Sequence, residues 1–254
     1  LKITGTIITY NEENNIRRCI TSMRSVVDEI IVVDSYSTDG TKKICIELGV
    51  TFVEHEFEGH IQQKNYAVSL ASHDFVLSLD ADEALSETLQ RSIATLKNQS
   101  LPLADAYEMN RLTSYCGKWI KHCGWYPDTK FRLWNKTKGL WGGENPHDKV
   151  ILSVGAGSQT LVGDILHYSY SNIADHVRTA NAFSDIAARE GAAKGKKVNV
   201  LIHMVLNPVY TFIHKYFIRL GFLDGFYGFV ICYLSAVSNF LKYAKMKQLT
   251  KDGK

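Results

Sequence analysis

Phe75-Val76-Leu77-Ser78-Leu79-Asp80-Ala81-Asp82-Glu83 is the stretch on which the reading of the chain turns. The residues up to Leu79 form a short apolar run suited to a buried strand, and three carboxylates follow at once. Carboxylates so crowded repel one another, and a divalent cation relieves the repulsion. Mg2+ and Mn2+ favour carboxylate oxygen together with phosphate oxygen, so Asp80 and Asp82 point to a metal and a metal-bridged diphosphate. Glu83 is also explained as an acidic first turn of the next helix, which the helix dipole favours.

Working outward from this stretch, strand and helix periods alternate through the first hundred residues. Ile3–Thr9, Glu29–Asp34, Thr51–Glu54 and residues 75–79 read as strands. Residues 16–25, 41–48, 61–71 and 85–96 read as helices. Alternation of this kind predicts βαβ units and a parallel sheet, and continuous runs such as Ile30-Ile31-Val32-Val33 suit strands buried on both faces. From about 101 to 167 aromatic and glycine residues dominate, and 107–109, 130–134 and 150–152 read as strands of a mixed or antiparallel extension. Residues 173–189 return to helix, with Asn172 as cap.

Ligands of open α/β sheets bind beyond the strand ends, and three more polar clusters lie there. Thr9, Asn11 and Glu12 follow the first strand and can reach a base or ribose, although a decorated helix N-terminus explains them as well. Asp34 ends the second strand, where it can accept from an imide N–H or a sugar hydroxyl; Ser37, Thr38 and Asp39 beside it resemble a helix cap. Lys64 lies early in a helix and could screen a diphosphate or sit on a solvated face.

Composition bounds the alternatives. The 254 residues are 45% hydrophobic and 22% charged, an ordinary globular balance with room for a sizeable core. The opening residues lack the basic start of a signal peptide, and five scattered cysteines suit reduced thiols in a cytoplasmic setting. Cys116, His122 and Cys123 fit no common zinc spacing. No Gly-x-Gly-x-x-Gly follows the first strand, which argues against a dinucleotide dehydrogenase. The glycine-free Thr9–Asn15 stretch argues against a nucleotidyltransferase. Residues 1–195 hold 20 Lys+Arg against 24 Asp+Glu, net −4, which gives no support to nucleic-acid binding.

Residues 196–254 hold 9 Lys+Arg against 2 Asp+Glu, net +7. Within them, 198–213 and 225–241 carry no Asp, Glu, Lys or Arg. Apolar, aromatic segments edged by Lys215, Arg219, Lys242, Lys245 and Lys247 suit in-plane binding at an anionic membrane surface. The second run is short for a span of about 20 residues. A buried helix pair or a homodimer interface is the competing reading.

Taken in order, Thr9-Tyr10-Asn11-Glu12, Val33-Asp34-Ser35 with Thr38-Asp39-Gly40-Thr41, and Leu79-Asp80-Ala81-Asp82-Glu83 resemble the signature of family 2 glycosyltransferases. Tyr126-Pro127-Asp128, Arg132-Leu133, His147-Asp148, His167-Tyr168-Ser169-Tyr170 and the segment from Arg219 to Gly225 extend the resemblance over nearly the whole chain. They are similar to a bacterial subgroup that includes lipopolysaccharide-core β-1,4-glucosyltransferases.

The resemblance implies an α/β GT-A fold with a C-terminal helical extension, a nucleotide-sugar donor (a UDP-sugar first), Mg2+ or Mn2+, and inversion at the anomeric carbon. It implies a lipid-linked or cell-envelope glycan acceptor at the inner face of a bacterial cytoplasmic membrane. Thr9, Asn11, Glu12, Asp34, Lys64, Asp80 and Arg132 would then meet the donor, and Asp82 with His167 the metal. Arg132 reads otherwise as an outward strand residue, and His167 as a core histidine. The base is expected in 144–148, Asp148 first and Glu144 second, although related sequences often carry His-Glu where this one has His147-Asp148. Domains are expected at 1–195, split into a nucleotide half (1–100) and an acceptor half (101–195), and at 196–254. A chain of the same fold that binds nucleotide sugar without catalysis is the alternative.

Overall fold

The structure, a computed structural model, describes residues 1–99, 104–144 and 147–252, the side chains of 147, 251 and 252 excepted. In chain order its strands and α-helices are β1 (Ile3–Thr9), α1 (Ile16–Met23), β2 (Glu29–Asp34), α2 (Thr41–Glu47), β3 (Thr51–Glu54), α3 (His60–Ser69), β4 (Phe75–Asp80), β5 (Glu83–Leu85), α4 (Glu87–Lys97), β6 (Ala106–Tyr115), β7 (Lys118–Ile120), β8 (Thr129–Asn135), β9 (Gly139–Glu144), β10 (His147–Leu152), β11 (Ser158–Tyr170), α5 (Ile173–Ala193), α6 (Asn207–Ile213) and α7 (Gly225–Asp252). By packing the chain forms two compact units, Leu1–Leu112 with Asp128–Tyr168, and Thr113–Pro127 with Ser169–Lys254. The region expected as 196–254 thus shares its unit with 113–127 and 169–195.

In the first unit the described strands order as β3-β2-β1-β4-β8-β6-β11-β5. β1 is parallel to β2 and β4, and β2 is parallel to β3. β8 then runs antiparallel to β4 and β6, and β11 antiparallel to β5. The parallel sheet and its mixed extension are both as the sequence predicts. Apolar side chains from both faces drive this arrangement: Ile3, Ile7, Ile20, Leu77, Leu79, Leu89 and Ile93 form one buried cluster, and Val76, Trp134, Trp141 and Val150 form another. Trp134 donates its indole N–H to Gly139 O at 3.0 Å, so burying its polar atom carries no penalty.

Local differences from the sequence reading have physical causes. Residues 83–85 are a strand, and the helix expected from 85 begins at Glu87, after Ser86 caps it by accepting from Leu89 N–H. β11 escaped notice because its exposed and half-buried residues leave little periodic signal. It passes so close to α4 that a Cβ on Gly163, at φ +114°, would lie 2.4 Å from Leu89 N. Gly40 occupies the cap position of α2 without a side-chain bond, while Asp39 accepts from Thr41 N–H.

In the second unit α5 and α7 pack together, and Asn172 caps α5 by accepting from Asp175 N–H, as expected. Tyr115, Ile120, Cys123, Ile231 and Cys232 form a buried cluster there, and all five cysteines are free. The run 200–218 folds as a π-helical stretch, α6 and a second π-helical stretch. α7 continues through Lys242, Lys245 and Lys247, well past the apolar run. By length and composition one helix among the described residues, Gly221–Thr250, could cross a membrane.

Candidate functional site

Strand register gathers the site. Thr9 pairs with Asp34, and Ile8 pairs with Asp80, so the ends of β1, β2 and β4 lie at one edge of the sheet. His167 on β11 pairs with Glu83 on β5, which brings His167 beside the carboxylates after β4. Arg132 on β8 follows the register of Leu133 opposite Leu77 to the same edge. The β9–β10 hairpin, with Asp148 opposite Gly143, supplies the last member.

The three crowded carboxylates Asp80, Asp82 and Glu83 are treated differently by their surroundings. Asp80 lies 2.8 Å from Lys64 Nζ and 3.1 Å from Arg132 Nη2. Burial works against its charge, but Lys64 and then Arg132 outweigh burial and hold the Asp80 carboxyl well below the usual carboxylate range. Glu83 is fully buried, 2.8 Å from Arg132 and 3.5 Å from Arg111. It is a strand residue inside an ion-pair network, not a solvated helix turn. Among the described residues Asp82 meets neither lysine nor arginine within ion-pair distance; its Oδ2 lies 3.1 Å from His167 Nε2. The unrelieved negative charge therefore falls on Asp82.

This donor set fits a divalent cation. A carboxylate oxygen and an imidazole nitrogen converge, both suited to Mn2+. Among the described residues no cluster of three or more His, Cys, Asp or Glu is poised for a metal, and Cys116, His122 and Cys123 form none. Phosphate oxygens and water would complete such a shell, the usual pattern for Mg2+.

Lys64 and Arg132 are each 3% exposed, so neither sits on a solvated face. Lys64 Nζ bridges Asp80 and Asp148, 2.7 Å from Asp148 Oδ2, and rests 4.4 Å from the Trp141 ring centroid. Asn65 fixes Trp141 by a reciprocal pair, donating to Trp141 O at 2.9 Å and accepting from Trp141 N–H at 3.0 Å. Arg132 spends Nη2 on Asp80 and Glu83, while its buried Nε and Nη1 have no hydrogen-bond partner among the described residues, and its guanidinium carbon lies 5.1 Å from the Trp141 ring centroid. Two such guanidinium donors are groups an anionic ligand would satisfy.

The loops after β1 and β2 are stitched together. Asn11 N–H donates to Ser37 Oγ at 2.7 Å, Thr38 N–H to Asn11 Oδ1 at 2.8 Å, and Glu12 N–H to Thr41 Oγ1 at 2.9 Å. Asn11 and Tyr36 both hold left-handed backbone, φ +54° and +60°, a strained conformation for residues other than glycine that clusters at functional loops. Asp34 is fully buried and accepts from Ser37 N–H and Oγ, at 2.7 and 2.5 Å. Thr9 Oγ1 is buried without a partner among the described residues. Burial pushes the Glu12 carboxyl up; the Asn15 amide opposes this, and the charge of Asp82 adds to it.

Asp148, held by Lys64, belongs to this cluster, whereas Glu144 is exposed at the tip of β9. Asn145 and Pro146, inside the segment expected to hold the base, lie outside the described residues. Glu83 was read in the sequence as a helix turn, and Arg111 and Trp141 were missed there. So was Arg18, whose guanidinium lies 3.3 Å from the Tyr168 ring centroid.

A family model described as glycosyl transferase family 2 matches residues 6–138. An uncharacterised glycosyltransferase of Rickettsia typhi is 35% identical over 98% of this chain and 88% of its own. The lipopolysaccharide core biosynthesis glycosyltransferase LpsC of Rhizobium meliloti is 26% identical over 98% of this chain and 93% of its own. Among solved structures, the mannosyltransferase PcManGT of Pyrobaculum calidifontis, in complex with GDP-Man and Mn2+, aligns with a TM-score of 0.50 at 16% identity, covering 100% of this chain and 76% of that one. The α/β GT-A fold expected from the resemblance is the fold found. With its strand-end carboxylates in the expected order and a family model covering more than half its length, the chain belongs to glycosyl transferase family 2.

Proposed function

We propose that the chain is an inverting hexosyltransferase that moves a sugar from a nucleotide-sugar donor, a UDP-sugar first, to a lipid-linked glycan of the bacterial cell envelope. The observation that carries this reading is the division of labour at the edge of β4. Asp80 and Glu83 are neutralised by Lys64 and Arg132, whereas Asp82 meets the imidazole of His167 at 3.1 Å. A nucleotide-sugar diphosphate with Mg2+ or Mn2+ is the ligand that such a set accepts. The likeness to LpsC supports an envelope acceptor, and the membrane would be met from its cytoplasmic face.

Thr9, Asn11, Glu12 and Asp34 shape the nucleoside end, with Asn11 and Asp34 acting through the loops they hold. Lys64 and Arg132 lie where the diphosphate would run, Arg132 offering its Nε and Nη1 donors. Asp82 and His167 would hold the metal, which when bound stabilises the charge of the departing diphosphate. In a single displacement the acceptor oxygen bonds to C1 as the C1–O bond to the diphosphate breaks, and configuration inverts. Asp148 takes the acceptor hydroxyl proton, with Lys64 fixing its position; Glu144 is the second choice. The test is a thermal-shift panel of nucleotide sugars with and without Mn2+. Selective, Mn2+-dependent stabilisation by one nucleotide supports the reading, and indifference to every nucleotide contradicts it.

A further inference from the structure

We propose that residues 118–123 and the elbow 219–225 of the second unit form a phosphate-headgroup site through which the chain docks on an anionic phospholipid surface. The proposal rests on the envelope-acceptor reading above for its purpose, but not for its physical basis. The elbow is a built turn. Leu220 is left-handed at φ +54° and Gly225 at φ +62°, and a Cβ on Gly228 would lie 2.0 Å from Gly221 O. Asp224, buried between them, accepts from His122 N–H at 2.8 Å and Lys121 N–H at 3.4 Å, and lies 3.0 Å from His122 Nδ1. Its carboxylate is thus spent on shaping the 118–123 loop.

The cations drawn to this turn are left in excess. Lys118 Nζ donates to the Asp224 carbonyl at 2.7 Å, and Lys215 Nζ to the Cys123 carbonyl at 3.4 Å. Cys123 N–H donates to Arg219 O at 3.0 Å, which seats Arg219 on the same loop. Among the described residues no acidic side chain forms an ion pair with Lys118, Lys121, Lys215 or Arg219. Leu220, Phe222, Leu223 and Phe226 stand exposed in the same elbow, Phe226 at 67%. Unpaired cations beside exposed aromatic and aliphatic side chains match a phospholipid interface, which offers phosphate outside and acyl chain beneath.

One lysine of α7 is less available. Lys245 is held by Asp185 at 2.8 Å and by Asn181 and Ser184 of α5.

The test is co-sedimentation of the full chain with vesicles of phosphatidylglycerol in phosphatidylcholine, and with phosphatidylcholine alone. Wild-type protein should bind the anionic vesicles and not the neutral ones. Lys121→Ala with Arg219→Ala should lower partitioning about 25-fold, roughly fivefold per charge, with an unchanged melting temperature. Lys245→Ala should change it less than about twofold. Equal binding of the Lys121/Arg219 variant, equal binding to neutral vesicles, or a protein that dimerises and ignores vesicles would each overturn the proposal. UDP binding measured on the wild type separates the two readings: Mn2+-dependent affinity without vesicle binding sinks only the docking site, and vesicle binding without nucleotide affinity sinks only the transferase.

Discussion

The strand-end cluster of the first unit and the elbow of the second handle charge in opposite ways. At the strand ends Lys64, Arg111 and Arg132 are matched against Asp80, Glu83, Asp128 and Asp148, and the matched groups are largely buried. At the elbow Lys121 and Arg219 are exposed and, among the described residues, form no ion pair, and the nearby carboxylate is spent on backbone N–H groups. Internal neutralisation fixes geometry, because a buried ion pair resists movement of either partner. Unmatched charge marks where a ligand of opposite sign is awaited. Asp82 is the exception within the first cluster, and for that reason it is the group assigned to the cation.

The comparison can be broken most severely at Asp148. Asp148→Asn should lower kcat about 100-fold to 10,000-fold with donor affinity nearly intact, since a base acts in the transition state. Steady-state kinetics with calorimetry checks this, and an active Asp148→Asn beside an inactive Glu144→Gln would move the role to Glu144. Glu83→Ala leaves Arg132 with Asp80 alone and Arg111 with Asp128 alone, and should cost about 3 kcal/mol in denaturant unfolding. A loss below about 1 kcal/mol would show that the network does not hold the site together. Asp34→Ala should weaken nucleotide binding and also lower stability by about 1–3 kcal/mol, because the Ser37 turn loses its acceptor. Unchanged affinity for every nucleotide would remove Asp34 from the site. The smallest effect is expected at the exposed Arg17–Glu47 pair, where Arg17→Ala should shift stability by less than about 1 kcal/mol in the same unfolding assay.

Much of the first hundred residues was legible because parallel strands buried on both faces write continuous apolar runs, as in β2 and β4. The same runs located Thr9, Asp34, Asp80 and Asp82, which need only lie at strand ends. Glu83 was misread because an acidic residue before a helix looks the same whether it meets solvent or Arg132; only the pairing of β5 with β11 decides. Lys64 looked weak for a similar reason. Its two partners, Asp80 and Asp148, come from β4 and β10, and no local pattern announces a contact between residues so far apart in sequence. Trp141 carries an indole that reads as core, which it is, yet its face also lies under the Lys64 ammonium. In the C-terminal region composition announced apolar runs and basic edges, but not that Lys245 is bound by α5 while Arg219 forms no ion pair among the described residues.

The central claim is that Asp82, left unneutralised beside His167, holds a divalent cation under a nucleotide diphosphate. Isothermal calorimetry of UDP against wild-type protein and Asp82→Asn, each with and without Mn2+, tests it most directly. The account predicts that Mn2+ strengthens UDP binding to the wild type at least about tenfold and leaves Asp82→Asn, folded and equally heat-stable, with only the weak metal-free affinity. Equal Mn2+-dependent affinity in both proteins would contradict it.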